Sequence, residues 1–122
     1  LGYAVVHLDP GKASCPYHFH HSEEELFFVL QGAGILRQAK AGDAEEELEV
    51  KPGDTIAYPA GTGIAHQFIN RSDAPFVYLA VSNKVKGDVC EYPDSNKILV
   101  RGRRMMLRRE PQLEYFEGEG DE

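Results

Sequence analysis

Glu25-Leu26-Phe27-Phe28-Val29-Leu30-Gln31-Gly32-Ala33-Gly34-Ile35-Leu36-Arg37-Gln38 is the stretch that decides the fold. The apolar run Leu26–Leu30 holds two phenylalanines and a valine and stops at glycine, which suits a short strand better than a helix. Ile35–Gln38 resumes directly after Gly32-Ala33-Gly34, which reads as a β-hairpin. The strand 25–31 is apolar on both faces. One face can line a core. The other has to be covered, by a second sheet of the same chain or by a second subunit.

The same rhythm extends outward. Tyr3–Leu8 ends at Asp9-Pro10-Gly11, and Leu48–Val50 runs into Lys51-Pro52-Gly53-Asp54. Pro then Gly at the centre of that turn is the type II signature, because Pro presets φ and Gly accepts a positive one. Thr55–Tyr58 ends at Pro59, Phe76–Val81 follows, and Ile98–Arg101 comes late. No segment carries a long 3.6-residue period; the best helix candidate is the short stretch Arg103–Glu110. Many brief strands with Gly and Pro between them predict an all-β sandwich or barrel.

A chain of 122 residues is one domain by length, and 42% hydrophobic with 27% charged residues is an ordinary globular balance. The net charge of −7 disfavours nucleic acid and anionic membrane as partners. No apolar run approaches the roughly 18–20 residues that span a bilayer. Leu1–Asp9 lacks the basic start of a signal peptide. Cys15 and Cys90 are too few for a disulfide framework and read as reduced thiols, so a cytoplasmic location is expected. The expected partner is a small molecule, with a homodimer as the alternative cover for strand 25–31.

Arg101, Arg103, Arg104, Arg108 and Arg109 crowd the start of the C-terminal stretch, and Glu114–Glu122 is acidic. One reading of these arginines is a phosphate or nucleic-acid patch; the preferred one, given the negative overall field, is a solvated strand edge or helix face whose charges meet the acidic tail or a partner subunit. Residues 1–100 are taken as the β-barrel domain and 101–122 as an extension, basic then acidic, with Gly118–Glu122 mobile.

The residues that carry chemistry lie just upstream of the opening stretch. In Tyr17-His18-Phe19-His20-His21, strand alternation puts His18 and His20 on one face and Phe19 and His21 on the other. Two imidazoles one pleat apart can bind the same metal ion. Glu25 follows a short polar turn and can swing back beside them, with Glu24 as its rival. His66 enters an extended piece after the glycine-rich loop Pro59–Ala65 and is a candidate fourth ligand.

Together these residues resemble the two motifs of the cupin superfamily. The first motif is Gly, five residues, His-x-His, three or four residues, Glu, six residues, Gly. His18, His20, Glu25 and Gly32 fit it, and the spacing to Gly32 selects Glu25 over Glu24. Its leading glycine is displaced, since Gly11 stands one position early and Lys12 fills the place. The second motif is Gly, five residues, Pro-x-Gly, two residues, His, three residues, Asn. Gly53, Pro59, Gly61, His66 and Asn70 match in order, with four residues rather than two between Gly61 and His66. An even insertion keeps strand parity. The loop 59–66 and the stretch Gly87–Ser95 are also similar to a group of small single-domain cupins that carry a sugar-phosphate isomerase label.

The resemblance implies a double-stranded β-helix, a jelly-roll barrel of two antiparallel sheets, with a divalent metal at its centre held by His18, His20, Glu25 and His66. Three imidazoles and a carboxylate suit Fe, Mn, Zn, Ni, Cu or Co. Such a centre fits a metal-dependent enzyme on a small oxygen-rich molecule, with an isomerase on a sugar or sugar phosphate preferred. A cupin dioxygenase is one alternative, with Phe27, Val29, Ile64 and Phe68 supplying an apolar pocket. A non-catalytic ligand-binding module is the other. Phe27, Gln31, Tyr58, Phe68 and Tyr78 are the candidates for lining the substrate site.

Overall fold

In the computed structural model, which describes residues 1–120, the strands run in the order β1 (Gly2–Leu8), β2 (Phe19–His20), β3 (Glu25–Gln31), β4 (Gly34–Lys40), β5 (Glu46–Val50), β6 (Thr55–Tyr58), β7 (Ile64–Ile69), β8 (Phe76–Ser82), β9 (Val89–Tyr92), β10 (Lys97–Val100) and β11 (Met105–Arg108). A single 3₁₀ turn covers Arg101–Arg103. All strand pairs are antiparallel. One layer has the order β1-β8-β3-β6, and the other is formed by β5-β4-β7 and β11-β10-β9-β2. The two parts of the second layer are stitched where His18 and His66 pair across β2 and β7. There His66 N–H donates to the His18 carbonyl at 2.9 Å and His18 N–H to the His66 carbonyl at 3.3 Å. This is the all-β jelly roll that the strand pattern and the motif resemblance imply.

Two local expectations are corrected. β3 and β4 do not form a hairpin: β3 pairs with β8 and β6, while β4 pairs with β5 and β7. Gly32-Ala33-Gly34 is instead a corner that carries the chain from one layer to the other. Gly32 has φ +82°, and a Cβ there would meet the Pro75 carbonyl oxygen at 2.3 Å. A Cβ on Gly34 would meet the Phe76 ring at 2.5 Å. Both glycines therefore serve close approach of the layers rather than a tight reversal. The second correction concerns Arg103–Glu110, which is no helix. Arg104 takes a left-handed φ of 51°, and Met105–Arg108 then pairs along β10 from Val100 to Lys97. An available edge on β10 outweighs the weak helical pattern. In contrast, Gly53 has the positive φ that the type II turn requires, 94°.

The core fills the space between the layers. Leu8, Phe27, Val29, Leu36, Val50, Tyr58, Phe68, Phe76 and Tyr78 form one buried cluster. Each large side chain there contributes about 2–3 kcal/mol by leaving water. β3 alternates: Phe27 and Val29 point inward, whereas Leu26, Phe28 and Leu30 are 42%, 40% and 44% exposed. On that outer face Tyr3, Val81 and Leu26 stand in one cross-strand row and Val5, Leu79 and Phe28 in the next. Sheet-on-sheet packing thus covers only the inner face of β3. Arg101 pairs with Glu23, and Arg109 lies 3.1 Å from Glu91. Both arginines meet acids of the barrel rather than of the tail. The mobility expected for Gly118–Glu122 falls partly on residues 121 and 122, which lie outside the described residues.

Candidate metal centre

The backbone pair between His18 and His66 places two imidazoles side by side, with ring centroids 5.0 Å apart. His20 lies two residues further along the same face, and its ring centroid is also 5.0 Å from that of His18. Glu25 is the first residue of β3 in the opposite layer, in register with Ser82 and Tyr58. One layer therefore supplies three imidazoles and the other a carboxylate. Glu25 Oε1 is 2.8 Å from His66 Nε2 and 3.3 Å from His20 Nε2. Donor atoms of His18, His20 and Glu25 lie within 4.8 Å of one another. His66 joins this trio through Glu25. The rival Glu24 points elsewhere, accepting the Ala60 backbone N–H at 2.9 Å and so holding the loop that leads to His66.

Each ring has its Nδ1 beside an acceptor. His18 Nδ1–H donates to the Pro16 carbonyl at 2.8 Å, and His66 Nδ1–H to the Ile64 carbonyl at 3.0 Å. His20 Nδ1–H donates to Asp88 Oδ2 at 2.6 Å. A carbonyl or carboxylate can only accept, so each of the three Nδ1 atoms carries a proton. The Nε2 atoms of His20 and His66 face Glu25 Oε1 at 3.3 and 2.8 Å, and a metal ion would stand in place of the His66–Glu25 hydrogen bond. Burial, reinforced by the neighbouring His66, holds the His18 pKa down to about 4, so its ring is neutral at neutral pH. Burial alone would raise Glu25. The hydrogen bond to His66 and the surrounding imidazole charges outweigh it and hold the carboxyl below the usual range. His18 thus presents a neutral imidazole and Glu25 an ionised carboxylate, the protonation states that metal ligation needs.

Asp88 was given no role by the sequence reading. It is fully buried, and its Oδ1 accepts the backbone N–H groups of Ser22 at 2.8 Å and Glu23 at 3.2 Å. Both of its oxygens are thus engaged, one on the turn before Glu25 and one on His20. The buried Glu23 carboxylate accepts from Ser82 Oγ and pairs with Arg101 Nη1. A signal for Asp88 existed in the sequence: Asp88, Cys90 and Tyr92 alternate along β9, which puts three polar groups on one face. Tyr58 supports the other side of the site. Its ring stacks on His66 at 3.8 Å and its hydroxyl donates to Gln38 Oε1 at 2.6 Å.

A second trio, His20, Asp88 and Cys90, also has donor atoms within 4.8 Å. It is the weaker candidate. It would use the His20 nitrogen that carries the proton, and burial and then the Asp88 charge push the Cys90 thiol up to about 12. Both cysteines are free thiols.

The cluster opens into a cleft of about 520 Å³ whose lining includes His18, His20, Glu25, Tyr78, Tyr92 and Arg101. Of the expected lining residues, Tyr78 is there. Tyr58 lies behind His66 instead, beside a narrow crevice that also touches Pro59 and Ile64. Phe27 and Phe68 belong to the closed core, 5.1 Å apart between ring centroids. Gln31 is exposed at the far end of β3, opposite Val77, and is not among the cleft residues. A β-bulge between Val29 and Gln31 breaks the alternation that would put Gln31 on the face of Phe27 and Val29. No helix among the described residues is long and apolar enough to cross a membrane.

Comparison with known proteins fits this geometry. The model of the family described as cupin domain matches residues 4–82. A solved structure from Acidithiobacillus ferrooxidans, which carries a provisional sugar phosphate isomerase label, is 30% identical with a TM-score of 0.81. The match covers 93% of this chain and 70% of that one. A sugar phosphate isomerase of the cupin superfamily from Silicibacter pomeroyi is 34% identical with a TM-score of 0.70, over 80% of this chain and 59% of that one. A glucose-6-phosphate isomerase of Thermococcus litoralis is 34% identical over 89 residues, covering 66% of this chain and 45% of the relative. The chain thus spans about half the length of the curated relatives it matches.

Proposed function

The chain belongs to the cupin family, and from that premise we propose that it is a metal-dependent isomerase acting on a sugar or sugar phosphate, with His18, His20, Glu25 and His66 as the metal ligands. The observation that carries this reading is the set of three pinned Nδ1–H groups. They turn the Nε2 edges of His20 and His66 toward the ionised Glu25 carboxylate, and His18, His20 and Glu25 line an open cleft. Nothing in a merely polar strand end calls for that agreement of tautomers. The donor set suits Fe, Mn, Zn, Ni, Cu or Co, and a hydroxy-carbonyl group would reach such an ion from the cleft. When bound, such an ion would polarise the substrate carbonyl and acidify the neighbouring hydroxyl.

The chain's own residues would then orient the substrate. Burial keeps the Tyr78 hydroxyl protonated, pushing its pKa up to about 12, and it raises Tyr92 as well. Both face the cleft as hydrogen-bond donors to sugar oxygens. The similar proteins, a glucose-6-phosphate isomerase and two that carry sugar phosphate isomerase labels, support the same substrate class. The dioxygenase alternative finds less support: of its apolar residues, Phe27, Val29 and Phe68 belong to the core and are not among the cleft residues, and Ile64 alone reaches the narrow crevice beside His66.

We further propose that the outer face of the β1-β8-β3-β6 layer is covered by a second copy of the chain, giving a homodimer. Tyr3, Val5, Leu26, Phe28 and Leu30 are all exposed there. A continuous apolar sheet face of this kind is usually an interface.

The experiment is a panel of aldose and ketose phosphates incubated with metal-loaded protein and followed by NMR. Interconversion is expected, and its loss on chelation. Binding without turnover across the panel would contradict the isomerase reading and favour a binding module.

A further inference from the structure

The cleft carries two cations that are not among the candidate metal ligands, Lys84 and Arg101. Lys84 follows β8 in a left-handed conformation, φ 49°, and its backbone N–H donates to Ser82 Oγ at 3.0 Å. Its side chain lies directly over Gly2: a Cβ on Gly2 would sit 2.2 Å from Lys84 Cε. The missing side chain at position 2 is what lets the lysine stem lie along the cleft. Among the described residues, the ion pairs do not include Lys84. Arg101 is anchored through Nη1 to the buried Glu23, with Asp88 Oδ2 at 4.0 Å, and its side chain is 35% exposed. Its contacts use Nη1 alone, which leaves Nε and Nη2 as donors toward the cleft.

The spacing of Lys84 from the metal centre follows from the register, while Arg101 stands nearer, behind the Asp88 that holds His20. Glu25, Ser82 and Gly2 stand in one row across β3, β8 and β1. With about 4.8 Å between neighbouring strands, Gly2 lies roughly 10 Å from Glu25. That is a span an open-chain pentose or hexose phosphate can bridge. A chain of net charge −7 repels a phosphate dianion unless local cations compensate. A guanidinium with unused N–H donors and an ammonium lining the same cleft are groups that phosphate oxygens favour. A neutral sugar has no need of either.

We propose that Lys84 and Arg101 form the phosphate subsite of this cleft, so that the ligand is a phosphorylated sugar bound with its hydroxy-carbonyl end at the His18–His20–Glu25–His66 cluster. This rests on the isomerase reading above and narrows it from sugars in general to sugar phosphates. Both residues lie beyond the stretch 4–82 that matches the family, so the subsite belongs to what the chain adds to that domain.

The test is calorimetric titration of the metal-treated full chain with ribose 5-phosphate, glucose 6-phosphate, the two unphosphorylated sugars and glucuronate. Metal content is measured on the same samples. The phosphorylated sugars should bind at least about tenfold more tightly than the neutral ones, the worth of one charge-assisted hydrogen bond. Lys84→Gln should remove most of that advantage while leaving metal content and neutral-sugar binding unchanged. Arg101→Lys, which keeps a cation for Glu23, should weaken only the phosphorylated sugars. Equal affinity for sugar and sugar phosphate, tighter binding of glucuronate, or an unchanged Lys84→Gln protein would overturn the subsite even with the metal in place. Protein that takes up no metal, yet loses sugar phosphate on Lys84→Gln, would uphold the subsite and sink the metal reading.

Discussion

Asp88 shows how one residue governs another in this site. Its Oδ2 fixes the proton of His20 on Nδ1 and turns Nε2 toward Glu25, while its Oδ1 holds the turn at Ser22 and Glu23. Losing such a partner typically weakens a metal site by about 10–100-fold. Asp88→Asn keeps the size and can still hold the turn, but an amide that turns its NH₂ toward Nδ1 no longer accepts. Its metal affinity, measured by competition with a chelating dye, should fall within that range while the far-UV spectrum stays the same. Unchanged affinity would mean that Asp88 serves the fold alone. Glu24 and Glu25 give a sharper contrast at the same scale. Glu25→Gln removes the carboxylate beside His20 and His66 and should abolish metal uptake. Glu24→Gln disturbs only the hydrogen bond to Ala60 and should leave uptake intact. The reverse result would show that the register of the site has been misread. His18, His20 and Glu25 were legible from parity and motif spacing. Asp88 was not, because its partner lies 68 residues away and only the pairing of β9 with β2 brings them together.

At the scale of elements, the strands could be read and one of their connections could not. Sequence alternation reports which face of a strand is buried, but not which strand lies beside it. β3 and β4 are separated by Gly32 and Ala33 alone, with Gly34 opening β4, a pattern that a hairpin and a corner between layers share. What distinguishes them is Phe76, whose ring occupies the place where a Gly34 side chain would be. Gly34→Ala should therefore cost about 1–3 kcal/mol by overpacking, seen as a lower urea midpoint with unchanged slope. Gly32→Ala should cost more than Gly42→Ala. Both positions have positive φ, 82° and 86°, but a Cβ meets backbone at Gly32 and open space at Gly42. The φ penalty alone is about 1–2 kcal/mol. Equal losses at the two positions would mean that the corner has room to relax. β11 escaped the reading for a related reason. Met105–Arg108 has little pattern of its own and is a strand because β10 offers an edge.

Across the whole molecule, the two layers have different duties. The second layer carries the three histidines, and the first carries Glu25 on one face and an uncovered apolar surface on the other. A homodimer through that surface predicts a mass near twice the monomer by sedimentation. Phe28→Glu should halve it, while the metal site on the opposite face of the sheet is unaffected. A wild-type monomer would remove the dimer and leave the barrel as it is. The central claim, that the layers meet at a metal, depends on all four ligands arriving together. The direct measurement is the metal content of the full chain after loading and desalting, in the wild type and in His18→Ala, His20→Ala and His66→Ala proteins that remain folded. The account predicts about one ion per wild-type chain and a marked loss in each variant, as removal of one ligand from a closed donor set requires. A folded wild type that holds no metal, or variants that hold as much as it does, would contradict it.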